Sequence, residues 1–241
     1  MKTTSSQLKA AARGHLTGRY AVLIIAYMIS NLITNIPSLF ISYTANPNTI
    51  SGSFINTGAS LIISFISVIF LVGQNHICLR SARGTEMVPV SEMWYGFKGN
   101  ADKTIVTYFL FFIRFLLYSA PFIGLLSCIL ILGESLFLTL LTVAALIFML
   151  CMWIKLELDY ALIFFLLIDY PKETPRELLA HSRQLMKGNK GRLFYLQLSF
   201  IGMLLLVLLS FGIAMFWVYP YMRMTFTEFY LDIASNQETV S

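Results

Sequence analysis

Five stretches of the chain, residues 20–43, 59–79, 104–132, 136–168 and 193–233, are apolar for at least the roughly 20 residues with which an α-helix crosses a hydrocarbon core about 30 Å thick. Lipid offers a backbone amide no hydrogen-bond partner, so a chain that crosses it forms helices or a closed barrel. Barrel strands alternate apolar and polar residues, and these runs do not. The expected fold class is therefore all-α, a polytopic transmembrane helix bundle. Composition agrees: the 241 residues are 57% apolar and 12% charged, against about 45–50% and about 25% in soluble domains.

The basic residues set the orientation. Of 17 Lys and Arg, four precede the first run, four lie in 80–103 and six in 172–192, while 44–58 and 133–135 hold none. Cytoplasmic loops carry the excess of Lys and Arg, so the amino terminus and both basic segments are expected inside. The first run follows Lys2, Lys9, Arg13 and Arg19 and ends at Asn46-Pro47-Asn48 without a small-residue cleavage pattern, which is expected of a retained anchor. Topology and contact with anionic lipid account for the net charge of +5, and nucleic acid is not expected as a partner. Cys78, Cys128 and Cys151 lie in or beside apolar runs without CxxC spacing, as buried free thiols would.

Each basic segment has the pattern of a short interfacial helix ending at glycine just before an apolar run. Leu8, Ala11, Ala12, His15 and Leu16 share one helical face, and Gly18-Arg19 follow. Val90, Met93, Trp94 and Phe97 repeat that face after Pro89, with Gly99-Asn100 next. Thr174-Pro175-Arg176-Glu177 supplies a capping box with proline at the first helical position. Leu178, Leu179, Leu185 and Met186 then form an apolar stripe closed by Gly188-Asn189. The three copies predict pseudo-repeats of about 1–80, 81–170 and 171–234 within one integral membrane domain over 1–241. If each unit is an interfacial helix followed by a hairpin, the bundle has six spans and both termini inside. The third hairpin then turns at Ser210-Phe211-Gly212 and returns through Pro220, whereas a single tilted span over 193–219 gives five.

Ionisable groups within a membrane are costly and mark function by default. Arg114, Lys155, Glu157 and Asp159 form a candidate intramembrane polar cluster. With the intervening turn at Glu134, Arg114 lies level with about residue 154 and is expected to pair with Glu157, while Lys155 and Asp159 are spaced to pair on one helix face. Such a cluster is either a hydrated site for an anionic headgroup or a proton, or a neutralised structural group whose long side chains snorkel to the interface. Arg176, Arg183 and Lys187, with Lys190 and Arg192 just beyond, are candidate lipid-headgroup contacts. Asn31, Thr34 and Asn35, with Gln74, Asn75 and His76, either line a cavity or bond helix to helix. His15, His76 and His181 have no metal-ligand spacing, and no GxSxG, GxxxxGK[ST] or GxGxxG motif occurs. No metal or cofactor is therefore expected, and no motif gives a reason to assert a reaction.

The run Asp169-Tyr170-Pro171, then 181–188 (HSRQLMKG), 193–202 (LFYLQLSFIG), Gly212-Ile213, 217–222 (WVYPYM) and Phe229-Tyr230 resembles an uncharacterised bacterial integral membrane family, the domain of unknown function numbered 975. That family is distantly similar to the membrane domain attached to some glycerophosphodiester phosphodiesterases. The resemblance covers 160–232 strongly and 9–18 more weakly, while 110–152 is longer than usual and lacks the family's Pro-Gly. It implies a multi-pass bundle of a bacterial cell membrane and supplies no catalytic residues. The function expected is non-catalytic binding of lipid headgroups or partner membrane proteins. A transporter or accessory subunit and a lipid-modifying enzyme are the alternatives.

Overall fold

A computed structural model describes residues 3–45, 49–84, 87–99, 101–133 and 135–238. The expectations that fall on Asn46, Pro47, Asn48, Asn100 and Glu134 lie outside the described residues. Helices account for nearly all of the rest, in the order α1 (Ser5–Leu16), α2 (Tyr20–Thr44), α3 (Ile50–Ala82), a 3-10 helix (Val90–Phe97), α4 (Ala101–Leu132), α5 (Leu136–Tyr160), α6 (Ile163–Asp169), α7 (Pro175–Leu185), α8 (Lys190–Leu198), α9 (Ile201–Leu209) and α10 (Met215–Glu238).

Among the described residues, five helical segments are long and apolar enough to cross a membrane: Tyr20–Thr44, Ile50–Ala82, Ala101–Leu132, Leu136–Asp169 and Lys190–Leu209. Only 6–22% of their most apolar windows is buried inside the protein. Most of that apolar surface faces outward, which water would penalise and lipid does not. The packed core lies instead at the basic end of the bundle, where Leu16, Ile77, Leu79, Leu166, Leu167 and Tyr230 are all but fully buried.

Local signals set two of the short helices. Thr4 and Gln7 form a capping box ahead of α1, whose Leu8, Ala12 and Leu16 are buried. Thr174 and Glu177 do the same for α7, with Pro175 at its start and Leu178, Leu179 and Leu185 buried. Each pair satisfies two of the orphan amides at a helix start.

The second basic segment differs from its expected form. Its apolar residues belong to a 3-10 helix pressed against the backbone of α3, not to a surface α-helix. A Cβ on Gly73 would sit 1.9 Å from the Met93 carbonyl oxygen, and one on Gly96 2.3 Å from that of Ile69. Two glycines on facing elements permit this approach, and Met93 is buried by it. All three cysteines are free as expected, but only Cys78 is buried; Cys151 faces outward from α5.

Candidate functional site

The face of α7 opposite its buried stripe carries Arg176 and Arg183, and Lys187 follows just past its end, all exposed. Docking of that stripe brings these cations beside α4 and α5, and Ser182 Oγ fixes the contact by donating to the Asp159 carbonyl at 3.0 Å. Two adjoining cavities result. One, of about 210 Å³, is lined by Arg114, Lys155, Asp159 and Arg183 together with Leu117 and Met152. The other, of about 440 Å³, is lined by Arg114, Arg176, Arg183, Gln184 and Lys187. Arg114, Tyr160 and Arg183 belong to both, so they form one basin. The Arg114 guanidinium lies over the Tyr160 ring, 5.4 Å from its centre, and reaches the Leu110 carbonyl of its own helix at 3.4 Å.

The basin thus gathers five cations, Arg114, Lys155, Arg176, Arg183 and Lys187, from both sequence clusters. Its one carboxylate, Asp159, is buried and held by the Lys190 ammonium arriving from α8. That pairing corrects the expected Lys155–Asp159 bridge: the two share a helix face and a cavity, but the tertiary partner takes the carboxylate. The expected Arg114–Glu157 pair is not formed. Glu157 accepts from Gln197 Nε2 at 2.8 Å and lines a separate cavity of about 140 Å³ with Arg223 and Phe226. Two residues along a helix is a rotation of about 200°, so Glu157 faces away from Lys155 and Asp159. Level was legible in the spacing; the azimuth of α5 within the bundle was not.

Arg192 also lies outside the basin. It bonds Asp232 at 2.6 Å and the Thr3 carbonyl at 2.8 Å, tying α8 to α10 and to the amino-terminal segment. Burial raises the Asp232 carboxyl, but the Arg192 guanidinium and the Thr3 bonds outweigh it and hold the group below its ordinary value. Arg192 is therefore a structural clamp, whereas Lys190 borders the basin through Asp159.

A second polar site lies between α2, α3 and α10. Ser30, Asn31, Thr34, Gln74, Tyr219 and Arg223 line a cavity of about 290 Å³. Gln74 Nε2 donates to Ser30 Oγ at 2.9 Å, the Tyr219 hydroxyl donates to Gln74 Oε1, and Arg223 Nε donates to the Tyr219 hydroxyl oxygen at 3.1 Å. Asn31, Thr34 and Gln74 meet as the sequence suggests, while Asn35 stays on its own helix face with Asn31. His76 turns away to stack on Tyr95 at 3.8 Å and face Glu92 at 3.2 Å, and Asn75 is buried outside the cavity lining. Sequence reasoning missed Tyr219 and Arg223, because only the return of α10 brings them to α2 and α3. The three histidines each face a glutamate on another segment, His15 with Glu228, His76 with Glu92 and His181 with Glu173. Among the described residues no group of His, Cys, Asp and Glu could hold a metal ion.

An all-helical chain with five membrane-length apolar helices and its polar sites at one end is a multi-helix membrane protein. Residues 1–237 match the family described as "Protein of unknown function (DUF975)", and the chain belongs to that family. No curated protein and no solved structure matches it.

Proposed function

We propose that this chain is a non-catalytic bundle of the bacterial cell membrane that binds the phosphate headgroup of an anionic lipid in the basin between α4, α5 and α7. The amino terminus and the basic segments face the cytoplasm, following the distribution of Lys and Arg. The observation that carries this reading is the convergence of five cations on one opening whose single carboxylate is already neutralised by Lys190. Guanidinium groups such as Arg114 and Arg183 can bind phosphate through two parallel bonds. The apolar wall beside them, Leu117, Met152 and Leu156, offers an acyl chain a path away from the charges. That amphiphilic lining favours a lipid over free phosphate.

The test is binding of short-chain phosphatidylglycerol, phosphatidylcholine and inorganic phosphate to the detergent-purified chain and to Arg114→Gln and Arg183→Gln. Preference for phosphatidylglycerol, lost in both variants, is the expected result. Equal binding of the zwitterionic lipid, or indifference to both substitutions, overturns the reading. Preference for phosphate alone overturns the lipid assignment.

Passage of a polar solute is a second reading, favoured by Arg223, which lines both the α2–α3–α10 cavity and the Glu157 cavity. Flux of an anionic solute into proteoliposomes that is lost in Arg223→Gln and Glu157→Gln would support it over lipid binding alone.

A further inference from the structure

The hairpin made by α8, α9 and α10 is shorter than its neighbours, and bonds between helices show by how much. Tyr219 bonds Gln74 and stacks on Tyr27 with ring centres 4.1 Å apart. Further along α10, Tyr230 donates at 2.6 Å to Asp169, whose carboxylate also holds Arg83 at 2.6 Å. The two marks fix α10 parallel to the end of α3. In the other direction the apolar part of α3 continues from Gln74 to Ala59, and α2 from Tyr27 to Thr44, which at about 1.5 Å per residue is roughly 22 Å and roughly 25 Å. From Tyr219 back to the turn at Gly212 is only about 10 Å by the same measure.

The other strand of the hairpin agrees. Gln197 is level with Glu157 through their bond. From there α9 needs roughly 20 Å to reach Phe211, while α5 runs roughly 31 Å to Leu136. The turn therefore stops about 10–15 Å short of the outer ends of the neighbouring apolar runs, roughly a third to a half of a hydrocarbon core about 30 Å thick.

Its amides are bonded as such a place requires. The amide of Ser210 reaches Leu206 at 2.9 Å, that of Phe211 reaches Leu208 at 3.2 Å, and that of Gly212 reaches Val207 at 2.8 Å. Ile213 donates to the Ser210 carbonyl at 3.1 Å and Ala214 to the Ser210 hydroxyl at 2.9 Å. The amides of Met215, Phe216, Trp217 and Val218 are bonded in turn. No amide of the turn is left to seek water, which a turn inside lipid requires. Gly212, at φ +88°, permits the reversal. The apex side chains are apolar and outward: Leu208, Leu209, Phe211 and Ile213 are 74, 78, 97 and 61% exposed. No charged residue occurs between Arg192 and Arg223.

We propose that this hairpin is re-entrant: it enters the bilayer from the basic face, turns within the hydrocarbon and returns to the same face, with acyl chains surrounding its apex. The chain then has four full spans and one half-depth hairpin, in place of five or six spans. The polar cavity ends at the same depth, since Thr34 lies as far from Tyr27 as Gly212 does from Tyr219. α10 thus supplies its third wall without closing off the outer half of α2 and α3.

The test uses full-length chain lacking its native cysteines, in cells and in inverted vesicles. Phe211→Cys is compared with Ser53→Cys near the outer start of α3 and Lys187→Cys on the basic face, using a charged, membrane-impermeant maleimide. Ser53→Cys should label from outside and Lys187→Cys only from inside. Phe211→Cys should label from neither side, yet label fully once denatured. A spin label at 211 should collide freely with dissolved oxygen and rarely with a polar relaxation agent. Labelling of Phe211→Cys from outside at the rate of Ser53→Cys overturns the proposal in favour of full spans. Labelling from inside places the hairpin outside the bilayer and overturns it too. A spin label shielded from both agents means that protein, such as a second copy, covers the apex in place of lipid.

Discussion

Replacing Lys190 with methionine should be the most damaging single change at the basin, although Lys190 is not one of its five converging cations. Asp159 keeps only 6% of its side chain exposed, and the ammonium of Lys190 is its counter-charge. Removing one partner of a buried pair typically costs about 3–5 kcal/mol, because the remaining charge is left uncompensated. Lys190 itself keeps 35% of its side chain exposed, so solvent screens part of the loss and the lower end, about 3 kcal/mol, is appropriate. For a chain of this size that corresponds to a fall of roughly 6–12 °C in the unfolding midpoint. Thermal unfolding in one detergent should be compared for Lys190→Met, Asp159→Asn and the double variant. The double variant should be more stable than Lys190→Met alone, since it no longer buries an unpaired carboxylate. Lys190→Met should also weaken anionic lipid binding, because the freed carboxylate cancels one basin charge. Unchanged stability in Lys190→Met, or strict additivity across the cycle, would refute the coupling.

Gly73→Leu should destabilise by at least the 1–3 kcal/mol typical of overpacking, because the obstacle is the Met93 backbone; Gly58→Ala, in open space, should change little in the same assay. Asp232 contributes stability above its ordinary pKa of 3.8, lost as pH falls through the lower value it has when folded. Midpoints should therefore drop as pH is lowered from about 4, and Asp232→Asn should flatten that dependence; an identical acid profile in the variant would contradict it. A reporter fused after the last residue should be active only when cytoplasmic, because α10 returns to the amino-terminal segment through Asp232 and Thr3; exterior activity would contradict the return.

The features legible in the sequence were those that depend on neighbours along the chain. The capping box at Thr174 and the apolar stripe of α7 needed only local spacing, and each formed where the residues placed it. The apolar runs gave the long helices because length and composition alone decide whether a helix can cross a membrane. What stayed hidden depends on how helices face and overlap. Spacing put Arg114 at the level of Glu157 but left the azimuth of α5 open, and the bundle turns Glu157 toward Gln197. The 3-10 helix requires Gly73 and Gly96 to meet across two elements, which no periodicity within 90–97 reveals. Tyr219 and Arg223 reach α2 and α3 only through the return of α10, which no spacing within 193–233 sets. The bonds of Tyr219 and Tyr230 show a shorter hairpin, with Arg223 nearer the basic end.

The central claim, that an anionic lipid occupies the basin, is tested most directly by locating the lipid on the protein. The intact chain is reconstituted in vesicles containing phosphatidylglycerol with a photoactivatable group near the start of one acyl chain, irradiated, and mapped by peptide mass spectrometry. Adducts should concentrate on Leu117, Met152 and Leu156, the apolar wall of the basin. They should fall sharply in Arg114→Gln and Arg183→Gln, and should not appear with the matching phosphatidylcholine probe. Adducts spread evenly over the outward faces of the spans, or unchanged in both variants, would contradict the claim.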